Sequence, residues 1–407
     1  MTANVGGNAP TTQQKEDLAQ AFDLVRVNDA GQTIGPDGQV VGAGSVKNFK
    51  PGKYKKLRKM LALSYMGISG GNILFIGNST TAPLFAGSIS SYCAVAQFVQ
   101  VLRDAGLAIS NNTYCGGVSI ASVSTTAETR VVFPASPAWG LGAVQGIGGA
   151  CPRAPAGQTT PATFTPFVGQ ECDQFVVDYA YTGASGVGSF GLQINSGEII
   201  TVNKTTVPTV GSATITGTLG NNTLRIIPGG VTETTVMGIR GINTAKKEIL
   251  VWNGGLGGSK VADWFTSIYP LYWRQHIQHI GPTLVVLRGS INDWKTSTQT
   301  AFATYSAKVT EGLDWLLAQG YEVLIETDPP SEVGQVPLAT QRQYAQVLID
   351  YALAHDLAYS DPHAEIESYE AIGGTTSGAY LDTLHPDKWP YGEMGRRTAA
   401  FILDLMA

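Results

Sequence analysis

The order of hydrophobic patterns predicts an α/β fold: a doubly wound parallel sheet whose chain is interrupted by an inserted all-β domain. Three observations carry this expectation. Residues 73–106 read as strand, glycine turn and helix. Residues 111–248 lose helical periodicity and break into short alternating runs. From Ile249 onward, strand-into-loop and helix patterns alternate again. An insertion of this kind is tolerated where the flanking ends lie close together on the surface.

Taken in order, residues 1–50 form a polar leader. A short helix is expected over 13–24, followed by extended chain punctuated by Gly and Asp at "NDAGQTIGPDGQVVGAG". The leader has too few large apolar residues for a core of its own, so it is expected to dock on the next domain or on another subunit. A second helix is expected over 54–63. The apolar run Ile73, Leu74, Phe75, Ile76 then meets Gly77-Asn78-Ser79-Thr80. Val95, Phe98, Val99 and Leu102 follow at helical spacing, and Gly106 ends that helix.

Between 111 and 248, "FVVDYAY", "SFGLQIN", "EIITVNK", "SATITGTLG", "NTLRIIP" and "TTVMGIRGINTA" are β-branched or alternating, with Gly, Asn and Pro turns between them. Two antiparallel sheets burying their facing alternations, a β-sandwich, fit this texture. Beyond it, "ILVWNGGLGGSK" is a strand entering a glycine loop, and residues 284–287 form a strand ending at "RGSINDW". Phe302, Tyr305, Val309, Leu313 and Leu316 mark one helix face; Tyr344, Val347, Leu348 and Tyr351 mark another. "YEVLIETDPP" is a strand into a polar loop, "AEIESYE" is expected as the last strand, and "GEMGRRTAAFILDLM" as a closing helix.

A chain of 407 residues implies about two to three domains. Charged residues make up 14% and glycines number 49, a bias that fits an extracellular or virion-type β-rich protein. The net charge of -5 offers no general attraction to nucleic acid or to anionic lipid. The N-terminus lacks the basic start and apolar segment of a signal peptide, and no run of apolar residues is long enough to span a membrane. Cys93, Cys115, Cys151 and Cys172 contain no CxxC pair, so no structural zinc is expected; Cys151 and Cys172 flank a loop-like stretch and could bridge.

Four loops follow α/β strands and should gather at one edge of a parallel sheet. They hold Ser79, the glycines of 253–258, Asn292-Asp293, and Asp382 with His385. Gly-Asn-Ser after a strand is common turn chemistry, and it is equally where a nucleophile would stand. Asp382 and His385 are three apart, but Pro386 disfavours a helix through His385, so a tight loop is expected. There the carboxylate can hold one imidazole nitrogen while the other takes the Ser79 proton. Gly255, the Ser79 N–H and the Asn292 side-chain amide are candidate donors to a developing oxyanion, although Asn292 could equally serve an Asx turn. Metal-dependent hydrolysis through Asp293, His385 and Asp382 would need clustered ligands, and His276 with His279 lacks an obvious third ligand.

In order, "FIGNST", "WNGGLGG", "SINDW" and "DTLHP" resemble the motifs of the SGNH hydrolases, or GDSL-like esterases and lipases, over residues 70–110 and 249–407. The resemblance implies a three-layer α/β/α, flavodoxin-like domain over 51–110 and 249–407, interrupted by the β-sandwich, expected to be jelly-roll-like, over 111–248. It implies Ser79 as nucleophile, His385 as base, Asp382 as third member of a triad, and oxyanion donors on Ser79, Gly255 and Asn292; the chemistry so expected requires no metal and no cofactor. Two positions depart from the family: Asn78 stands where an acid is usual, and Ser290 where a glycine is usual.

An esterase interrupted between its first two motifs is also similar to carbohydrate O-acetylesterases of bacteriophage tail spikes and fibres. That likeness implies an O-acetylated surface polysaccharide as substrate, a virion-associated or extracellular location, and a homotrimer. Trp294 and Trp389 would then offer sugar-stacking faces, or simply pack the loops. The competing expectation is a glycan-binding adhesin whose α/β core is inactive.

Overall fold

The computed structural model describes residues 26–27, 33–34, 46–82, 93–115, 130–135, 137–181, 188–204, 209–265, 272–295, 297, 299–366 and 368–406. The helix expected over 13–24 lies outside them. Within the leader, Arg26–Val27 pairs antiparallel with Thr33–Ile34, and Val46–Lys47 joins the main sheet.

That sheet has seven strands, in the spatial order Val46–Lys47, Tyr359–Ser360, Glu322–Thr327, Leu284–Gly289, Gly71–Gly77, Ile249–Gly255 and Ile109–Ser110. All neighbours are parallel except the Val46–Lys47 edge. Parallel strands are buried on both faces and so carry continuous apolar runs. Ile73 and Phe75 enter one apolar cluster with the helices Lys55–Tyr65, Ala94–Asp104 and Lys388–Met406. Leu74 and Ile76 enter the other, with Trp273–Ile280, Phe302–Ala318 and Leu338–Ala354. Helices therefore cover both faces. Each of these fully buried side chains contributes about 1.5–3 kcal/mol of transfer free energy.

Local signals explain where the helices begin and end. The Cys93 thiol caps Ala94–Asp104 by accepting from the Ala96 N–H, and Gly106 leaves it at a φ of 87°. Gly281, at a φ of 60°, ends Trp273–Ile280. The segment expected as the last strand is different: the final parallel strand is Tyr359–Ser360, and Pro362–Glu365 is helical. Asp361 caps that turn and Pro362 starts it, a combination that outweighs the short apolar alternation after it.

From Gly71–Gly77 the chain runs out to Ile109–Ser110, leaves for the insert, and returns as Ile249–Gly255 between the two. It then crosses to Leu284–Gly289 and proceeds to the opposite edge. The reversal falls beside Gly71–Gly77, and a crevice at the carboxyl ends follows from it. In register, Gly77 lies beside Gly255 and Gly289 beside Thr327.

Between these strands lie two antiparallel sheets, one of five strands and one of six. They enclose an apolar cluster that includes Trp139, Phe164, Phe175, Phe190, Leu192 and Ile226. The six-stranded sheet, whose sixth strand Thr113–Cys115 pairs beside Thr234–Ile242, rests on the α/β part. Ile147 and Cys115 belong to the same apolar cluster as Trp252, and the Thr113 hydroxyl donates to the Val251 carbonyl at 2.6 Å. All four cysteines are free and buried. The Cys151–Cys172 bridge that the sequence left open does not form: Cys172 faces the core between the insert's sheets, whereas Cys151 packs with Val144 and Met237. Among the described residues, no helix is long and apolar enough to cross a membrane.

Candidate active site

Gly77 ends its strand where a Cβ would collide with the Thr81 side chain at 2.2 Å and the Arg288 carbonyl at 2.8 Å. The chain turns tightly there, with the Thr81 and Ala82 N–H groups donating to the Asn78 carbonyl. Ser79 is held in this turn, buried. Its Oγ lies 2.9 Å from His385 Nε2, across 306 residues of chain. His385 Nδ1 lies 2.8 Å from Asp382 Oδ2. The other carboxylate oxygen of Asp382 accepts from the Leu384 N–H at 2.7 Å and the His385 N–H at 2.6 Å. One carboxylate therefore shapes the loop and orients the ring. Pro386 keeps His385 out of the following helix, and a bridge between Tyr380 and Pro386 closes the loop.

Burial works to raise the Asp382 carboxyl, but the hydrogen bonds from the His385 ring and from the two amides outweigh it and hold it at about 2. An ionised carboxylate only accepts hydrogen bonds, so Nδ1 carries the hydrogen and donates it to Asp382. The Nε2 lone pair then faces the Ser79 hydroxyl. This is the arrangement a base needs to draw a proton from a serine.

The expected oxyanion donors fare differently. Gly255 is buried, and a Cβ on it would stand 2.1 Å from the Ala82 nitrogen, so glycine is required for the glycine loop to approach the Ser79 turn. Its N–H, however, donates to Asn253 Oδ1 at 3.1 Å, which corrects the expectation of an uncommitted donor. Asn292 lies at the neighbouring strand end, and its Nδ2 donates one hydrogen to the Ser259 carbonyl at 2.9 Å. Ser290, which replaces the usual glycine, takes a φ of 123°. Its hydroxyl is anchored 2.6 Å from the Tyr305 hydroxyl, which helps hold a backbone conformation that glycine adopts more readily.

Trp294 is not a stacking face. It is fully buried, packs edge-on against His363 with ring centroids 5.5 Å apart, and directs its indole N–H to Ser331; it belongs to an apolar cluster of the α/β part. Trp389 lies in the helix Lys388–Met406, with its side chain outside the described residues. Asp293 accepts from the Val261 N–H at 3.1 Å and the Thr300 hydroxyl at 2.8 Å, and burial pushes its carboxyl up to about 6. Among the described residues, no group of three or more His, Cys, Asp or Glu is placed to hold a metal ion.

His276 and His279 lie at the joint with the insert. His276 Nδ1 accepts from the Ile147 N–H at 3.2 Å, and burial lowers its pKa to about 4. His279 meets Asp178 at 3.3 Å.

Sequence reasoning missed the layer beneath Ser79. Asp328, fully buried, follows the strand Glu322–Thr327 and accepts from the Asn78 amide at 2.7 Å and the Ile291 N–H at 2.9 Å. Arg288 and Glu326, both buried, form an ion pair below it, and the Thr398 hydroxyl donates to the same carboxylate. Such a pair persists in a core only where hydrogen bonds satisfy it. The available signal was a carboxylate placed directly after a parallel strand in "LIETDPP".

No family model matches the chain, and no curated protein matches it. Among solved structures, a peptidoglycan O-acetylesterase captured in action is similar over 89% of this chain and 99% of its own, with a TM-score of 0.64 at 16% identity. A lipase/acylhydrolase from Enterococcus faecalis covers 39% of this chain and 77% of its own, at 19% identity and a TM-score of 0.33. An acetylxylan esterase from Geobacillus stearothermophilus covers 39% and 74%, at 17% identity and a TM-score of 0.33. The first likeness takes in the insert as well as the parallel sheet, and at its identity it speaks to fold: the chain has an esterase-type α/β fold with an added domain.

Proposed function

We propose that this chain is a serine esterase of the SGNH type that removes O-acetyl groups from a carbohydrate, most directly a bacterial surface glycan. The single observation that carries this reading is the continuous line Asp382–His385–Ser79 at 2.8 and 2.9 Å. Support for a sugar ester comes from the likeness across both parts of the chain to an enzyme that acts on peptidoglycan.

In the proposed reaction, His385 takes the Ser79 proton as Oγ attacks the acetyl carbonyl. The negative charge on the carbonyl oxygen is met by the Ser79 N–H and the Asn292 side-chain amide. Gly255 joins them only if its N–H exchanges the Asn253 oxygen for the oxyanion. The tetrahedral species collapses as His385 protonates the departing sugar oxygen, leaving acetyl-Ser79. Water, deprotonated by His385, then releases acetate and restores the serine. Asp382 stays ionised and steadies the imidazolium in both halves.

Residues 51–110 and 249–407 form the hydrolase domain in this reading, and 111–248 a β-sandwich that shapes substrate access. The leader, residues 1–50, would serve attachment to a virion tail or trimer formation; the mass of the protein in solution tests the latter.

Acetate release from a panel of O-acetylated peptidoglycans and capsular polysaccharides is the experiment. Wild type should release acetate from at least one member and hydrolyse a small chromogenic acetyl ester, and Ser79→Ala should do neither. Equal rates for the two proteins would leave the inactive adhesin as the better account.

A further inference from the structure

The turn that carries Ser79 is held by a group that takes no part in the proposed proton transfers. Asn78 Oδ1 accepts from the Thr80 N–H and lies equally close to the Thr80 hydroxyl, both at 2.9 Å. Asn78 Nδ2 donates to Asp328 Oδ2 at 2.7 Å. The Thr80 hydroxyl also touches Asp328 Oδ1, so its one hydrogen is shared between the two side chains. Asp328 Oδ2 further accepts from the N–H of Ile291, the residue before Asn292, at 2.9 Å. One carboxylate thus ties together the ends of three neighbouring strands: its own, that of Ser79 and that of Asn292. Asn78 and Asp328 are both essentially without solvent contact.

Donor counting makes the pair specific. An ionised carboxylate at 328 can only accept, so position 78 must donate, and of the isosteric pair Asn and Asp only the amide does so at neutral pH. The acid usual before the nucleophile in the family this sequence resembles is therefore not simply missing; a carboxylate stands on the other side of the same contact.

We propose that Asn78 and Asp328 form a matched amide–carboxylate pair that positions the Ser79 hydroxyl and the Asn292 amide relative to each other. The proposal rests on Ser79 being the nucleophile. Both are positioning residues. The carboxylate is faced by Arg288, itself paired with Glu326, and by the hydroxyls of Tyr305, Tyr380 and Tyr391. Burial favours its neutral form, while the Thr80, Ile291 and Asn78 contacts and the Arg288 charge favour the ionised one.

The test compares N78D, D328N and N78D/D328N with wild type and S79A on a chromogenic acetyl ester across pH, with a thermal melt of each. N78D sets two carboxyl groups against each other, so the contact is satisfied only while the pair shares a proton. The protonated oxygen then donates as the amide did, and the contact turns repulsive as that proton is lost at higher pH. Its kcat should lie about 100-fold below wild type near pH 8, with KM little changed. The deficit should shrink to about 10-fold or less near pH 5.5, as the shared proton returns. D328N should lose about 10- to 100-fold at every pH, because two amides then face each other over the Ile291 N–H.

In N78D/D328N an amide faces a carboxylate again, with the roles exchanged. The pH dependence of the deficit should vanish, and near pH 8 kcat should recover at least about 10-fold over N78D. It should stay below wild type, because an amide nitrogen turned toward position 78 cannot also accept from Ile291.

A deficit in N78D that ignores pH, no deficit at all, or a double variant no faster than N78D overturns the pair. If N78D loses its cooperative melt, the double variant decides: folded and faster than N78D supports the pair, and folded but no faster overturns it, as does a double variant that also fails to melt cooperatively. Wild type no faster than S79A removes the esterase reading and the pair's role with it. A clear gap between those two, beside an N78D that behaves as wild type, removes only the pair.

Discussion

Among the described residues, two groupings of Ser, His and Asp differ in the order of contact. At the carboxyl edge of the parallel sheet, His385 lies in the middle: Nε2 meets Ser79 and Nδ1 meets Asp382. At the joint with the insert, the Ser212 hydroxyl meets Asp178 at 2.5 Å and also touches His279. His279 directs the same ring nitrogen, Nε2, toward both Ser212 and Asp178. Arg240 adds its charge to Asp178 at 3.4 Å. In the first grouping the ring can take the Ser79 proton on Nε2 while Asp382, still ionised, holds its Nδ1–H. In the second it cannot, because one nitrogen serves both partners and the guanidinium already compensates the carboxylate. Residue types alone do not make a general base; a ring held at one nitrogen by a carboxylate and open to a hydroxyl at the other does.

Substitutions should break that comparison if it is false. The largest effect is expected for Ser79→Ala and His385→Ala, each lowering kcat on an acetyl ester by about 10⁴-fold or more, while the equivalent Ser212→Ala leaves kcat within about twofold. Steady-state kinetics of the three variants checks this, and a deep loss in Ser212→Ala would reverse the assignment. Asp382→Asn should lower kcat by about 10³-fold, because an amide can hold the ring in the wrong tautomer. The accompanying signature is a changed pH–rate profile rather than a changed KM. Asn292→Ala should cost about 10²- to 10³-fold in kcat with KM little altered, the mark of a donor that acts in the transition state; a pure KM effect would assign it to substrate binding instead.

The joint should show itself in stability instead. His276 has its pKa lowered to about 4 by burial, partly opposed by Asp178. The unfolded chain would bind that proton near pH 6.5, so it holds more protons than the folded chain between the two values. The contribution is therefore complete above about pH 6.5 and lost as pH falls toward about 4, with an upper bound of about 3 kcal/mol. Thermal melts at descending pH should show the decline, and His276→Gln should flatten much of it. An unchanged slope would shift the acid sensitivity to other groups.

Sequence patterns foretold the α/β part because its signals are local. Each strand is a short apolar run ending in a loop, and in a parallel sheet those loops must come together. The same reasoning singled out Ser79, Asp382 and His385, which the structure brings into hydrogen-bonding contact. It failed for Trp294, because a tryptophan near a site reads the same whether it faces sugar or core, and burial alone distinguishes them. It failed for Asp328 because that residue's meaning is a contact with Asn78, 250 positions away in sequence.

What the amino-acid order determined by itself was the period of each element, the turns that end them and the residue types at the strand ends, since these follow from neighbours a few positions apart. Tertiary structure alone decided that Gly255 lends close approach while its N–H turns to Asn253, and that Asp328 stands beneath the nucleophile. It also decided which of two Ser–His–Asp groupings is linear. Those outcomes depend on directions of approach between distant segments, and hydrogen bonding is sensitive to direction in a way that hydrophobic periodicity is not.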